Sequence, residues 1–245
     1  MKKVLVAEDE DAIREFIVLN LTRSGYEVTE VSNGSDAIAE YEKAYTGNTG
    51  ELFSVPYAVV MLDIMMPGQS GIEVCKYIRA KSKTTGIIIL SAKSQEMDKI
   101  NALMAGADDY ITKPFSTGEM TARVDALWRR VNVSENAAFT ELTDDNVKIA
   151  GPFRLDKKNC SVQKNGNLLS LSQSEYNLFE YFADNPEKAI TREEILYNVW
   201  GEDYTGDDKV VDVNIRRLRV KIEDNPAEPK YLRTVWGAGY RFSAV

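Results

Sequence analysis

Ala58–Leu62, read A-V-V-M-L, is an unbroken apolar run that ends in a single carboxylate, Asp63, with Pro67-Gly68 and Gly71 soon after. A run of this length between such breakers suits a strand buried on both faces of a sheet, which requires layers above and below it. The stretch lies within a regular alternation. Lys3–Ala7, Tyr26–Val31, Gly86–Leu90 and Asp109–Thr112 read as further short strands, and residues 12–23, 34–45, 71–82, 95–105 and 117–131 read as helices. Strand–helix alternation predicts an α/β, doubly wound, five-strand parallel sheet over residues 1–131. Asp63 then leaves the sheet at its carboxyl edge, where open α/β sheets bind ligands.

The rest of the chain has a different grammar. Residues 46–56 carry Gly and Pro punctuation and read as a surface loop, and residues 132–146 are small, polar and aperiodic, as a linker is. Beyond them, Val147–Ile149, Phe153–Asp156, Ser161–Lys164 and Leu168–Leu171 read as short strands. Ser172-x-x-Glu175 and Thr191-x-x-Glu194 fit capping boxes and mark two helix starts. A third helix is expected over Lys209–Glu223, followed by a hairpin over Tyr231–Phe242. Residues 147–245 are therefore expected to form a second, α+β domain.

Composition narrows the function classes. The chain contains no histidine, which excludes a histidine base, phosphocarrier or metal ligand of its own. Cys75 and Cys160 have no metal-ligand spacing and fit a reducing, cytoplasmic setting. The apolar run Val4–Ala7 stops at Glu8, too short for a secretory core, and no stretch approaches the ~18 apolar residues of a membrane span. A formal net charge of −8 means that any nucleic-acid contact must be local.

Glu8 and Asp9 follow the first strand as Asp63 follows the third, so three carboxylates are expected to converge at one edge. Such acids repel unless a hard divalent cation lies among them, and Mg²⁺ suits few carboxylates, a backbone carbonyl and waters. The other strand ends supply a hydroxyl, Ser91, and a lysine, Lys113. This set suits acceptance of a phosphoryl group by Asp63, with Lys113 and Ser91 on its oxygens. A hydrolase working through an aspartyl phosphate usually carries a second acid two residues after the nucleophile, where this chain has Met65. The chain is therefore not read as an enzyme.

V-L-V-A-E-D-E, V-V-M-L-D-I-M-M-P-G, I-I-I-L-S-A and A-D-D-Y-I-T-K-P-F, in this order, resemble the flavodoxin-like receiver domain of two-component response regulators. The resemblance implies that Asp63 is the phospho-acceptor and that Glu8, Asp9, Asp63 and the Met65 carbonyl hold Mg²⁺. It also implies that Ser91 and Tyr110 move on activation while Lys113 contacts the phosphoryl group. The interval from Asp9 to Asp63 is longer than is usual there, with residues 46–56 absorbing the excess. The resemblance further implies a receiver dimer formed on phosphorylation, pairing Lys99 with Glu119, Asp109 with Arg123 and Asp108 with Arg130.

In the second module, residues 140–245 carry 15 Lys/Arg against 18 Asp/Glu. The basic residues are nevertheless concentrated. Lys209, Arg216, Arg217, Arg219 and Lys221 face Asp212 alone within 209–221, and Lys230, Arg233 and Arg241 have no acidic neighbour within 230–241. Val211, Ile215, Leu218 and Ile222 form one helical stripe that should be buried. Lys209, Val213, Arg216, Arg217 and Val220 are then expected to face outward, as suits a major groove. G-P-F-R-L-D, V-V-D-V-N-I-R-R-L-R-V-K-I and T-V-W-G-A-G-Y-R-F resemble the OmpR/PhoB winged-helix effector domain. The residues expected at promoter DNA are Lys209, Val213, Asn214, Arg216, Arg217, Arg219 and Arg241. At the wing tip Trp236 stands where some relatives place an arginine. The acidic turn G-E-D-Y-T-G-D-D resembles a loop that touches RNA polymerase in some relatives.

The expected protein is a DNA-binding response regulator served by a sensor histidine kinase. The competing reading is a phosphorylation-independent DNA-binding protein whose receiver only dimerises.

Overall fold

The computed structural model describes residues 2–47, 57–92, 96–136, 147–202, 204 and 206–244. The chain divides into two compact units, Met1–Val131 and Asn132–Val245.

The first unit runs β1 (Lys3–Ala7), α1 (Asp11–Arg23), β2 (Glu27–Val31), α2 (Gly34–Gly47), β3 (Val59–Asp63), α3 (Gly71–Lys81), β4 (Gly86–Ser91), α4 (Glu96–Met104), β5 (Asp109–Thr112) and α5 (Thr117–Asn136). Its five strands pair in the order β2-β1-β3-β4-β5, all parallel. Every residue of β3 and β4 is buried, as their continuous apolar sequence requires. One side of the sheet packs through Val4, Val6, Val59, Met61, Ile88 and Leu90 against Ile17 and Leu21 of α1 and Met120, Val124 and Leu127 of α5.

Helix α5 continues to Asn136, so residues 132–136 belong to a helix rather than to the expected linker. No Gly or Pro interrupts the chain between Gly118 and Gly151, and nothing local ends the helix at 131. The remainder of that linker, 137–146, lies outside the described residues, as do residues 48–56 of the expected 46–56 loop. Positions 46 and 47 of that loop extend α2.

The second unit begins with an antiparallel sheet of β6 (Val147–Ala150), β7 (Phe153–Asp156), β8 (Ser161–Lys164) and β9 (Asn167–Leu168). Next come α6 (Gln173–Asp184), β10 (Ala189–Ile190) and α7 (Arg192–Ile195), which passes into a π-helical turn over Leu196–Trp200. Helix α8 (Lys209–Ile222) and the hairpin β11 (Leu232–Val235) and β12 (Gly239–Phe242) complete it. Both expected capping boxes form. Ser172 and Glu175 exchange bonds at the start of α6, as Thr191 and Glu194 do at α7. A third, Ser70 with Glu73, starts α3.

The hairpin is part of a three-stranded sheet, because β10 pairs with β12. Gly239 permits this approach, since a Cβ there would stand 2.0 Å from the Ile190 carbonyl oxygen. The core of this unit is aromatic. Phe153 packs edge-on against Tyr231 at 4.9 Å and Phe179 at 5.2 Å, and Phe179 meets Phe242 at 5.4 Å.

Candidate functional site

The parallel register brings the ends of β1, β3, β4 and β5 to one edge. Glu8, Asp9 and Asp63 each present a carboxylate oxygen within 4.8 Å of the others. Glu8 and Asp63 are buried, and Asp9 is partly exposed. Lys113, carried just beyond β5, lies between the two buried acids, 2.6 Å from Asp63 Oδ1 and 2.7 Å from Glu8 Oε1. Its backbone N–H donates to the Ser91 carbonyl at 2.8 Å, which fixes the β5 exit against β4. On the other side of Asp63 the Met65 N–H donates to Oδ2 at 2.6 Å.

The loop that holds Asp63 is clamped by Gly71. Its N–H donates to the Ile64 carbonyl at 3.2 Å, and a Cβ there would come within 2.1 Å of the Asp63 carbonyl oxygen. Any side chain at 71 would displace the strand end that carries the acid.

The charges explain one another. Burial would push the Lys113 ammonium down, but its bonds to Asp63 and Glu8 outweigh burial and the net shift is upward. Lys113 therefore stays cationic. Glu8 is shifted upward, first by burial and then by the nearby Asp63, with Lys113 opposing both. Glu8 Oε2 is buried with no hydrogen-bond partner. An acceptor turned inward among three carboxylates is the donor set a small divalent cation takes, so these residues fit one. Ser91 and Tyr110 are both buried. Burial raises the Tyr110 pKa, while a hydrogen bond with the Ser91 hydroxyl opposes that shift.

The residues expected at a receiver dimer are engaged within the unit. Asp108 is 2% exposed and lies 2.6 Å from Arg79, and it also accepts from the Ile87 N–H at 2.9 Å. Arg79 donates as well to the carbonyls of Gly106, Ser82, Lys83 and Thr85. The expectation of Asp108 as a surface partner for Arg130 is therefore corrected: a buried arginine already holds it. Arg130 belongs to α5, and its side chain lies outside the described residues. Arg123 pairs with Asp109 at 3.0 Å and with Glu119, one turn away, at 2.8 Å. Lys99 is half-buried on α4.

The presumed reading face of α8 also changes. Arg216 and Val220 stand outward, Val220 at 60% exposure. Val213 and Arg217, expected outward, and Asn214, expected at DNA, are buried. Val210, Val211, Val213, Asn214 and Ile215 enclose the first two turns on most sides, so the buried surface is wider than a single stripe. Asn214 donates back to the Val210 carbonyl at 2.8 Å. Arg217 lies 3.0 Å from Glu175, the capping residue of α6, which also pairs with Lys221. Lys209 is half-buried. Arg219 turns toward the hairpin, donating to the Leu232 carbonyl at 2.8 Å and the Thr234 hydroxyl at 2.9 Å. Arg241 is half-buried on β12, opposite Arg233 of β11 and Ala189 of β10.

Residues not singled out from the sequence join helix and hairpin. Tyr240 donates to Asp212 at 2.7 Å, and Arg192 pairs with the same carboxylate at 2.7 Å. The guanidinium groups of Arg192 and Arg219 lie over the Tyr240 ring at 5.2 and 5.7 Å. Burial and the Asp212 bond push the Tyr240 phenol up to about 12. The only advance signal was an isolated acid, Asp212, in a basic helix.

Residues 4–125 match the response regulator receiver domain, and residues 166–242 match the C-terminal domain of transcriptional regulatory proteins. The chain belongs to the two-component response regulators of the OmpR/PhoB type, proteins that couple a receiver to a DNA-binding output domain. It is 40% identical to the sensory transduction protein RegX3 of Mycolicibacterium smegmatis over 98% of this chain and 99% of the relative. A probable transcriptional regulatory protein of Picosynechococcus is also 40% identical, over 98% of this chain and 92% of the relative. A RitR variant of known structure aligns over 99% of both chains with a TM-score of 0.71 at 23% identity, which shows the shared fold. Among the described residues no helix is long and apolar enough to cross a membrane.

Proposed function

We propose that this response regulator is switched by phosphorylation of Asp63 and, once switched, acts on promoter DNA as a homodimer. The observation that carries the reading is Lys113 bridging Asp63 and Glu8 beside a third carboxylate, Asp9. A carboxylate held between a fixed cation and a backbone N–H is oriented for attack, and its neighbours can receive the charge that arrives.

The donor is a phosphohistidine on a sensor kinase, since this chain has no histidine. An Asp63 oxygen attacks phosphorus, the P–O bond forms as the P–N bond breaks, and the departing imidazole takes a proton from solvent. Glu8, Asp9, Asp63 and the Met65 carbonyl would hold magnesium, which would supply positive charge to the phosphoryl oxygens. Lys113 exchanges its carboxylate contact for a phosphoryl oxygen. The Ser91 hydroxyl turns to another, releasing Tyr110 to repack. Receiver dimerisation through α4, β5 and α5 follows as Arg123 changes partners between protomers.

The receiver, 1–131, acts through residues 147–245, where the exposed part of α8 enters a major groove with Arg216 and Lys209 leading. The acidic sequence of 201–208 keeps it off DNA and suits contact with RNA polymerase. Such a regulator acts in the cytoplasm, a reducing setting that suits the free thiols of Cys75 and Cys160.

Mass spectrometry of the chain incubated with acetyl phosphate and Mg²⁺ tests the switch. One added phosphoryl group is expected, and none in Asp63→Asn. Absence of the adduct in the native chain, or its retention in Asp63→Asn, would leave the phosphorylation-independent reading standing.

A further inference from the structure

Arg14 lies one turn into α1, and each nitrogen of its guanidinium is committed to a different group. Nη1 donates to the Glu8 carbonyl at 2.8 Å, Nε donates to Glu30 at 3.2 Å, and Nη2 donates to Asp11. Arg14 is half-buried, whereas Glu30 and Asp11 are exposed. Exposed ion pairs by themselves contribute little to stability. The bond to the main chain is of another kind, because Glu8 carries one of the three converging acids.

Glu8 and Asp9 sit on the short turn between β1 and α1. Glu10, at the N-cap of α1, provides no side-chain cap bond to stiffen it. The Glu8 N–H donates to the Val31 carbonyl at 3.1 Å, and Arg14 takes the carbonyl of the same residue. Both polar groups of the Glu8 main chain are thus held while its side chain meets Lys113 at 2.7 Å. In the β1–β2 register Val6 lies beside Glu30 and Ala7 beside Val31. The anchors for Glu8 and for Arg14 therefore come from β2, a strand that supplies none of the three acids. A planar guanidinium fork can serve three acceptors in fixed directions, which a lysine ammonium on its flexible stem does less well.

We infer that Arg14 is a positioning residue for the acidic site, holding the Glu8–Asp9 turn in the shape that takes a divalent cation. The inference rests on the reading of Glu8, Asp9 and Asp63 as a cation site and deepens it. Charge and geometry here have opposite signs. A guanidinium near such a site repels an incoming cation, so if Arg14 acted only as a charge, its removal would tighten binding. A residue that presets two of the ligands does the reverse. Without it the turn must be ordered as the ion arrives, and affinity falls. Asp11 and Glu30 face the guanidinium and offset its repulsion, which lets a cationic group brace the turn so close to the acids.

The test titrates Mn²⁺, an oxygen-seeking ion followed by its paramagnetism, into the unphosphorylated full chain and into Arg14→Ala, Arg14→Lys and Asp9→Asn. The native chain is expected to bind an ion that Mg²⁺ displaces and that Asp9→Asn holds poorly. Arg14→Ala should bind roughly tenfold more weakly, the scale of a lost supporting contact around a metal site. Arg14→Lys, which keeps the charge and loses the fork, should also weaken binding. Phosphorylation by acetyl phosphate gives a second readout. In Arg14→Ala the Mg²⁺ concentration for half-maximal rate should rise roughly tenfold while the rate at saturating Mg²⁺ falls much less, a split that general loss of fold does not produce. Urea unfolding run alongside identifies the folded variants, and Arg14→Lys carries the test if Arg14→Ala does not fold. Equal or tighter Mn²⁺ binding by folded Arg14→Ala, or binding by Arg14→Lys equal to that of the native chain, would overturn the brace. A native chain with no Asp9-dependent Mn²⁺ binding would instead strike the cation reading, so the two failures are separable.

Discussion

The Arg217 guanidinium lies 3.0 Å from the Glu175 carboxylate, and both side chains are buried. Arg217 is thus a strut between α8 and the start of α6, whose capping box Glu175 completes. Removing one partner of a buried pair leaves an uncompensated charge, at a cost of about 3–5 kcal/mol. Lys221 remains as a partner of Glu175, so Arg217→Ala is expected to cost less than that range, about 2–3 kcal/mol. Urea unfolding of the chain measures it, and an unchanged midpoint would remove the strut.

Arg216, its exposed neighbour, is expected to behave in the opposite way. Arg216→Ala should leave the unfolding midpoint in place and weaken binding to a selected duplex by about 1–3 kcal/mol. If Arg216 holds a phosphate, the slope of log K against log salt should also shrink by about one. A salt titration by fluorescence anisotropy reads both quantities.

The Glu175 pair carries a pH signature. Burial would raise the Glu175 pKa, but Arg217, Lys221 and the Ser172 N–H outweigh it, and the net shift is downward. The unfolded value is about 4.3, so the stabilisation is complete above that pH and fades as pH falls through the lower folded value. Thermal scans of the native chain should show a steeper acid loss in the C-terminal unit than scans of Glu175→Gln. Parallel acid profiles would count against it.

Asp108 is expected to govern receiver stability rather than self-association. Asp108→Asn removes the charge that Arg79 faces in the interior and should cost about 3 kcal/mol. Sedimentation of the phosphorylated chain should still give the dimer at concentrations where the variant is folded. A folded variant that stays monomeric would restore Asp108 to the interface.

These contrasts show what the sequence carried. The parallel sheet was legible because buried strands such as Ala58–Leu62 declare themselves by continuous apolarity, and strand ends then fix which acids meet. Lys113 beside Glu8 and Asp63 follows from that geometry. Partnerships between distant segments were not legible. Arg216 and Arg217 differ by 100° on one helix, and only the position of Glu175 decides which turns inward. Asp108 and Arg123 offered charges that suited partners in a second chain equally well as Arg79, Asp109 and Glu119 in their own. Strand β10, two residues long, has no periodicity to read.

Lys113 has a consequence for how the regulator lives between signals. An acidic site that needs a bound ion to hold its shape ties its folding to the supply of that ion. Here an internal ammonium already balances part of the charge, so the receiver can be made and kept intact when divalent ions are scarce. Scarcity would then silence the response without depleting the protein, and replenishment would restore it with no new synthesis.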